Sequence, residues 1–402
     1  MERKIPYSAI QTSLAVRLES KEDLAEAYTP GVAGLCRQIA ADKDKAYSLT
    51  LKKNAVAVLS DGSRVLGLGN IGPLAGLPVM EGKAALFKRF AGVDAFPLSV
   101  DAKSADELVA LAKAIAPTFG GINLEDISAP KCFEVERRLI EELDIPVMHD
   151  DQHGTAVVAL AGALSALPLA GKKLSGAKVI VNGAGAAGSA IAKLVAAAGA
   201  KDVISFDRQG ALHSGREGLD RHKLELAEIT NKAKFTGSLQ ECCEGADLLI
   251  GASSPGAFAR AHISAMASKP IVFALSNPDP EISAQEAALA GAFIYASARS
   301  DFPNQINNAV AFPGIFRGAL DVRASRITEG MKMAAAQALA ARVSEVGATP
   351  GYIIPSPFDP EAHFKVAFAV ASQAMREGVA RVKLSEAELA SAIRSRIPKA
   401  ES

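Results

Sequence analysis

Lys178-Val-Ile-Val-Asn-Gly183-Ala-Gly185-Ala186-Ala187-Gly188 is the stretch from which this chain is best read. An apolar run of the length of a buried parallel strand ends at Asn182, and a Gly-x-Gly-x-x-Gly turn opens an Ala-rich helical pattern reaching about Ala198. In such a unit the first glycine allows the tight turn, the second lets backbone approach a pyrophosphate, and the third lets helix pack close to strand. The helix start then offers unpaired N–H groups and partial positive charge to phosphates. A second apolar strand, Asp202-Val-Ile-Ser-Phe206, ends in Asp207, the distance along the chain at which an acid meets a ribose hydroxyl. Gly183, Gly185, Ala186, Ala187, Gly188 and Asp207 are therefore candidate cofactor residues of a doubly wound, Rossmann-type parallel sheet. Asp207 favours NAD by repelling a 2′-phosphate, whereas Arg208 beside it would receive the phosphate of NADP.

The rest of the chain surrounds this unit. Its 402 residues suggest two or three domains, and 44 basic against 44 acidic side chains leave no net charge to draw it to nucleic acid or an anionic membrane. Met1-Glu-Arg-Lys-Ile-Pro6 lacks the apolar core of a signal peptide, and no uninterrupted apolar run is long enough to cross a bilayer. Cys36, Cys132, Cys242 and Cys243 fit neither zinc nor disulfide spacing, so a reduced, cytoplasmic protein is expected.

Upstream, residues 12–27 read as a polar helix leading to Tyr28-Thr-Pro-Gly31, with Thr29 as cap and Pro30 at the start of the next helix. Spacing alone favours Tyr28 as a packing residue at that corner. Asn54–Leu59 and Val65–Leu68 read as strands, the second running into a glycine-rich loop and then a helix from about Val79 to Ala91. On that helix Lys83 shares the apolar face of Phe87 and Phe90, where it either snorkels to water or enters a cleft that lowers its pKa. Gly120-Gly-Ile-Asn-Leu124 ends in Glu125-Asp126, and Ile145-Pro-Val-Met148 runs into His149-Asp150-Asp151. Two strands thus end in paired acids at the carboxyl edge where open α/β sheets bind ligands. Such oxygen donors suit Mg²⁺ or Mn²⁺, and helix capping by Asp126 or Asp151 is the alternative. Because alternate strand residues face opposite ways, not all four acids are expected to converge.

Tyr28-Thr-Pro-Gly-Val32, Ser60-Asp-Gly-Ser-Arg64 with Val65-Leu-Gly-Leu-Gly-Asn70, Pro78-Val-Met-Glu-Gly-Lys83, Asn123-Leu-Glu-Asp126, His149-Asp-Asp-Gln-His-Gly-Thr-Ala156 and Leu275-Ser-Asn-Pro278 occur in the order in which they stand in the short bacterial malic enzymes, which the chain resembles from Tyr28 to about Pro360. No acyltransferase-like extension follows, as in the single-module form. Asn70 stands where many relatives carry Asp. The resemblance implies an α/β catalytic domain over residues 1–155, a Rossmann domain with C-terminal helices over 156–385, and a tail over 386–402. It implies oxidation of L-malate to pyruvate and CO₂ with NAD, or NADP, and a divalent cation, Mg²⁺ or Mn²⁺. It also implies Glu125, Asp126 and Asp151 as metal ligands with Asp150 supporting them, Lys83 as general base and Tyr28 as general acid. Arg64, Asn277 and Asn308 would hold the substrate, with Asn277 also near the cofactor. A free lysine (pKa about 10.4) would have to fall about two units, about 3 kcal/mol, to act as a base near neutrality. A homodimer is expected, since Tyr28 lies on an N-terminal segment able to reach a partner. The competing readings are an oxaloacetate decarboxylase without net redox chemistry, a dinucleotide-sensing module without turnover, and another two-domain hydroxy-acid or amino-acid dehydrogenase.

Overall fold

The computed structural model describes residues 8–398, so the leader reading of the first six residues and the expected fraying of the last few lie outside the described residues. Two parallel sheets form the frame. The first contains β1 (Ala55–Ser60), β2 (Asp94–Ser99), β3 (Gly121–Leu124) and β4 (Val147–His149) in the order β2-β1-β3-β4. Every residue of β1 is buried, as an apolar strand covered on both faces requires. Pro97 is tolerated in β2 because that strand lies at the edge.

The second sheet contains β5 (Lys178–Asn182), β6 (Asp202–Asp207), β7 (Gly210–Ala211), β8 (Leu248–Gly251), β9 (Ile271–Ala274) and β10 (Ile294–Ser297) in the order β10-β9-β8-β5-β6-β7. Only β7 is antiparallel, as a short return against β6. The order reverses beside β5, which places a ligand crevice at the carboxyl ends of β5 and β8.

Helix Asp150–Leu169 starts at the tip of β4 and packs against helices Ala186–Ala197 and Glu329–Val346. Among the described residues it alone has the length and mean hydropathy (1.2) of a membrane span, but 72% of that window is buried inside the protein. Helices Phe312–Asp321, Glu329–Val346 and Pro360–Arg376 pack on one another, and the first also returns to helix Gly72–Ala91. There Phe87 meets Phe312 and Phe316 edge-on at 4.7 and 5.4 Å between ring centres. In the same region buried Arg317 donates to Asn54 Oδ1 at 2.5 Å and Asp321 Oδ1 at 2.6 Å. The C-terminal residues 386–398 begin with helix Glu386–Arg394, which buries Leu389 and Ile393.

Several local expectations change. Residues 12–20 are not helical: the first helix is Lys21–Ala27, started by Ser20 in a reciprocal cap with Asp23. Thr29 and Pro30 lie ahead of the second helix, Val32–Ala41, which Gly31 begins without a side-chain cap. Leu66–Leu68 form a tight helical turn rather than a strand, with Leu66 at φ 49°. The following helix begins at Gly72, since Pro73 fits a first turn.

Candidate active site

The acids after β3 and β4 converge. One carboxylate oxygen from each of Glu125, Asp126 and Asp151 lies within 4.8 Å of the others. Strand alternation led to the expectation that not all four acids would meet, and three do; β3 ends at Leu124 and Asp126 adopts φ 54°, a left-handed backbone. Neither candidate cap is one. Asp151 Oδ2 accepts from the Asp126 amide at 2.8 Å, and the helix starting at Asp150 has no side-chain cap. The fourth acid, Asp150, turns to Lys83, whose Nζ lies 2.5 Å from Asp150 Oδ2 and 2.9 Å from Glu125 Oε1. A side chain on Gly154 would collide with Asp150 Oδ1, so glycine one turn on is what leaves room for this acid.

The electrostatics fit a dication. Burial pushes Glu125 well above the usual carboxylate range, and burial with the charge of Asp151 lifts Asp126 to about 7. Asp126 Oδ2 and Asp150 Oδ1 are buried and unpartnered among the described residues. Three clustered carboxylates with an unsatisfied oxygen match a hard cation that takes oxygen ligands.

Of the two placements expected for Lys83, the structure shows the cleft. Burial alone would lower its pKa, but the Asp150 and Glu125 carboxylates outweigh burial and raise it. The side chain does not snorkel to water: it is 7% exposed, with the Phe312 ring 4.2 Å from Nζ.

A layer behind these residues carried no signal strong enough to single out from sequence. Asn123 Nδ2 donates to Glu125 Oε2 at 2.9 Å, and His149 Nε2 lies 3.2 Å from Asp151 Oδ2. Burial works against the His149 imidazolium, yet Asp151 raises its pKa. Glu136 accepts from the His149 backbone N–H (2.7 Å) and the Gln152 amide (3.1 Å), and pairs with His153 Nε2 (2.9 Å). Lys332 Nζ lies 3.0 Å from His153 Nδ1, tying helix Glu329–Val346 to the acid-bearing turn. The only sequence trace is Gln152-His-Gly154 continuing the acid motif.

Asn308 begins a helical turn against the start of helix Asp150–Leu169, where a Cβ on Gly154 would lie 3.0 Å from Asn308 Cβ. Asn277 follows β9, and its carbonyl lies 3.0 Å from the Cβ position of Gly67, so the two halves of the chain meet there. Arg64 is exposed, its backbone N–H donating to the Asp126 carbonyl at 2.9 Å. Tyr28 stands apart: it is 68% exposed at the end of helix Lys21–Ala27, and its hydroxyl makes no hydrogen bond among the described residues.

At the glycine turn, Gly183 has φ 124° and packs on the Ala252 carbonyl, while a Cβ on Gly188 would strike the Gly183 carbonyl. Gly185 faces open space before the helix starting Ala186-Ala187, the side a pyrophosphate needs. Asp207 is engaged by the protein: Oδ2 accepts from Arg216 at 2.7 Å and Lys223 at 2.8 Å, and Oδ1 from the Gln209 N–H at 2.9 Å. Arg208 is exposed beside it.

A family profile described as the malic enzyme N-terminal domain matches residues 8–140, and one described as the malic enzyme NAD binding domain matches residues 152–375. The chain belongs to the malic enzyme family. It is 54% identical to an NAD-dependent malic enzyme of Geobacillus stearothermophilus over 92% of this chain and 78% of that one. It is 50% identical to an NADP-dependent malic enzyme of Halomonas elongata over 89% and 88%. The crystal structure of a malic enzyme from Pyrococcus horikoshii superposes with a TM-score of 0.92 at 51% identity, covering 96% of this chain and 92% of that one. These matches agree with the expected α/β fold, a catalytic sheet followed by a Rossmann-type sheet.

Proposed function

We propose a division of labour for the family's reaction in this chain. The chain oxidises and decarboxylates L-malate to pyruvate and CO₂, reducing NAD or NADP, with a divalent cation. In our reading Glu125, Asp126 and Asp151 hold the cation, Mg²⁺ or Mn²⁺, and Asp150 supports the site. Arg64, Asn277 and Asn308 bind malate, Lys83 is the general base and Tyr28 the general acid. Gly183, Gly185, Ala186, Ala187 and Gly188 seat the pyrophosphate, with Asp207 and Arg208 at the adenosine end. The observation that carries this reading is the three carboxylates within 4.8 Å of one another and the Lys83 amine 2.9 Å from Glu125.

The cation, once bound, supplies Lewis acidity at C2, and the nicotinamide accepts hydride. Lys83 takes the C2 hydroxyl proton as the C2 hydride departs, which requires it first to be neutral. Burial favours the neutral amine, while the carboxylates of Asp150, Glu125 and Asp151 favour the ammonium; a cation held by Glu125 and Asp151 would weaken the pull of those two. The C3–C4 bond then breaks, CO₂ leaves, its electron pair stays as an enolate, and Tyr28 delivers a proton to C3.

We further propose a boundary near residue 155, giving a catalytic unit 1–155, a cofactor unit 156–385 and a final segment 386–402. The first sheet closing at His149 and the second opening at Lys178 support it. A homodimer completes the reading, with Tyr28 supplied to the partner's site. What supports it is an N-terminal segment whose first two helices bury no residue and which exposes Leu14, Val16, Leu18 and Leu24. A cytoplasmic location is supported by the free thiols of Cys132, Cys242 and Cys243.

Lys83→Ala tests the assignment of the base. It should lower malate oxidation by about 10²–10⁴-fold while NAD(P) binds as before. Turnover within a few-fold of wild type would remove Lys83 from the role.

A further inference from the structure

Glu281 follows the loop after β9 and is fully buried, and among the described residues no basic side chain pairs with it. A carboxylate taken out of water without a counter-charge is costly unless hydrogen bonds replace its hydration. Here Oε1 accepts from the Ser253 N–H at 2.8 Å and from the Ser253 hydroxyl at 3.4 Å, and Oε2 accepts from the Ser276 N–H at 3.0 Å. Burial raises its pKa, and these donors oppose the rise. The last residue of β8, Gly251, leaves the room: a Cβ there would lie 2.4 Å from Glu281 Cδ.

The two amides stand just past the carboxyl ends of β8 and β9, so one side chain bridges two strand tips of the crevice. Ser253 Oγ also accepts from Nδ2 of Asn182, the last residue of β5, at 3.2 Å, which extends the bridge to the glycine turn. Ser276 in turn precedes Asn277. With the pyrophosphate at the turn after β5 and the adenosine on the β6 side, the nicotinamide half of a dinucleotide falls to the β8–β9 side. We propose that Glu281 is a positioning residue for hydride transfer, fixing the edges after β8 and β9 so that Asn277 and the nicotinamide meet malate in register. The inference rests on the reading of the glycine turn as the dinucleotide site and of Asn277 as a malate ligand. An amide in place of the carboxylate would turn an NH₂ donor onto one of the backbone N–H groups and release that edge.

The test is single-turnover stopped flow on the full chain, with saturating malate, Mn²⁺ and protein and with cofactor limiting, following NAD(P)H formation. Under these conditions an unfolded fraction leaves the first-order rate constant unchanged, so that constant reports alignment rather than stability. Glu281→Gln should lower it about 10–100-fold, the cost of misplacing reacting groups by about 1 Å, while 5′-AMP affinity, which reads the adenosine end, changes less than about twofold. Gly251→Ala keeps the carboxylate but sets a methyl against it, and should give the same pattern by an independent route. Asn277→Ala is the reference. If it is slowed while Glu281→Gln and Gly251→Ala stay within about threefold of wild type, the inference is overturned and the reading of Asn277 stands. A loss of 5′-AMP affinity as large as the loss in rate would mark a merely structural role and also overturn the inference. A wild-type rate in Asn277→Ala would overturn the reading of Asn277 and the inference with it.

Discussion

Glu136→Gln replaces a buried carboxylate by a neutral group of the same shape at the hub of the network behind the acid turn. Burial alone would raise the pKa of Glu136, but His153 and Lys332 bring it from 4.5 to about 2. That shift corresponds to about 3 kcal/mol of net interaction favouring the charged form. The variant should therefore be less stable than wild type by about 3 kcal/mol at pH 7, since His153 and Lys332 lose their buried counter-charge. The sign follows from a folded pKa below the unfolded one: the contribution is full above pH 4.5 and lost as the pH falls toward 2. Urea unfolding followed by circular dichroism should show the gap shrinking by about 1 kcal/mol between pH 7 and pH 4. Glu136 also holds the His149 N–H and the Gln152 amide, which flank Asp150 and Asp151. Mn²⁺ affinity should accordingly fall about 10–100-fold, the usual effect of loosening the groups that orient ligands. Unchanged stability together with unchanged Mn²⁺ affinity would refute the reasoning.

Three further outcomes are expected. Tyr28→Phe should slow protonation of enolpyruvate more than hydride transfer, read from isolated half-reactions; equal losses would count against an acid role. Mixing Tyr28→Phe and Lys83→Ala subunits should restore roughly a quarter of wild-type turnover if Tyr28 serves the partner's site, because half of randomly paired dimers carry one intact site; no recovery would place Tyr28 in its own subunit's site. His363 is held at about 4, chiefly by burial, while its Nε2 keeps a 2.7 Å bond to the Pro357 carbonyl. Unfolded histidine takes up a proton below about pH 6.5, so wild type should lose up to about 3 kcal/mol between pH 6.5 and pH 4, and His363→Gln should flatten that slope in urea unfolding.

Much of this molecule was legible in its sequence because periodic signals are local. The strand–Gly183–helix unit and the acid pairs ending β3 and β4 depend on residues adjacent in the chain. Lys83 on the face of Phe87 and Phe90 was equally readable. Which three of the four acids meet could not be read from spacing alone, because it depends on local backbone such as the left-handed turn at Asp126, which side-chain alternation cannot express. The ion pairs of Lys83 were not legible for a related reason: Asp150 and Glu125 follow separate strand tips, and only tertiary structure brings them within 2.9 Å of its amine. Asp207 followed the same pattern, since its cations arrive 9 and 16 residues later. Glu136, His153 and Lys332 read as ordinary helix residues, and their network spans 196 positions of the chain from the first to the last.

The claim on which the account depends is that one divalent cation sits among acids from two strand tips, beside the Lys83 amine. An anomalous-difference map from crystals soaked in Mn²⁺ tests it. One peak about 2.1–2.2 Å from oxygens of Glu125, Asp126 and Asp151, with Lys83 close by but not coordinating, is the expected result. A peak elsewhere, or one that engages none of the three carboxylates, would contradict it.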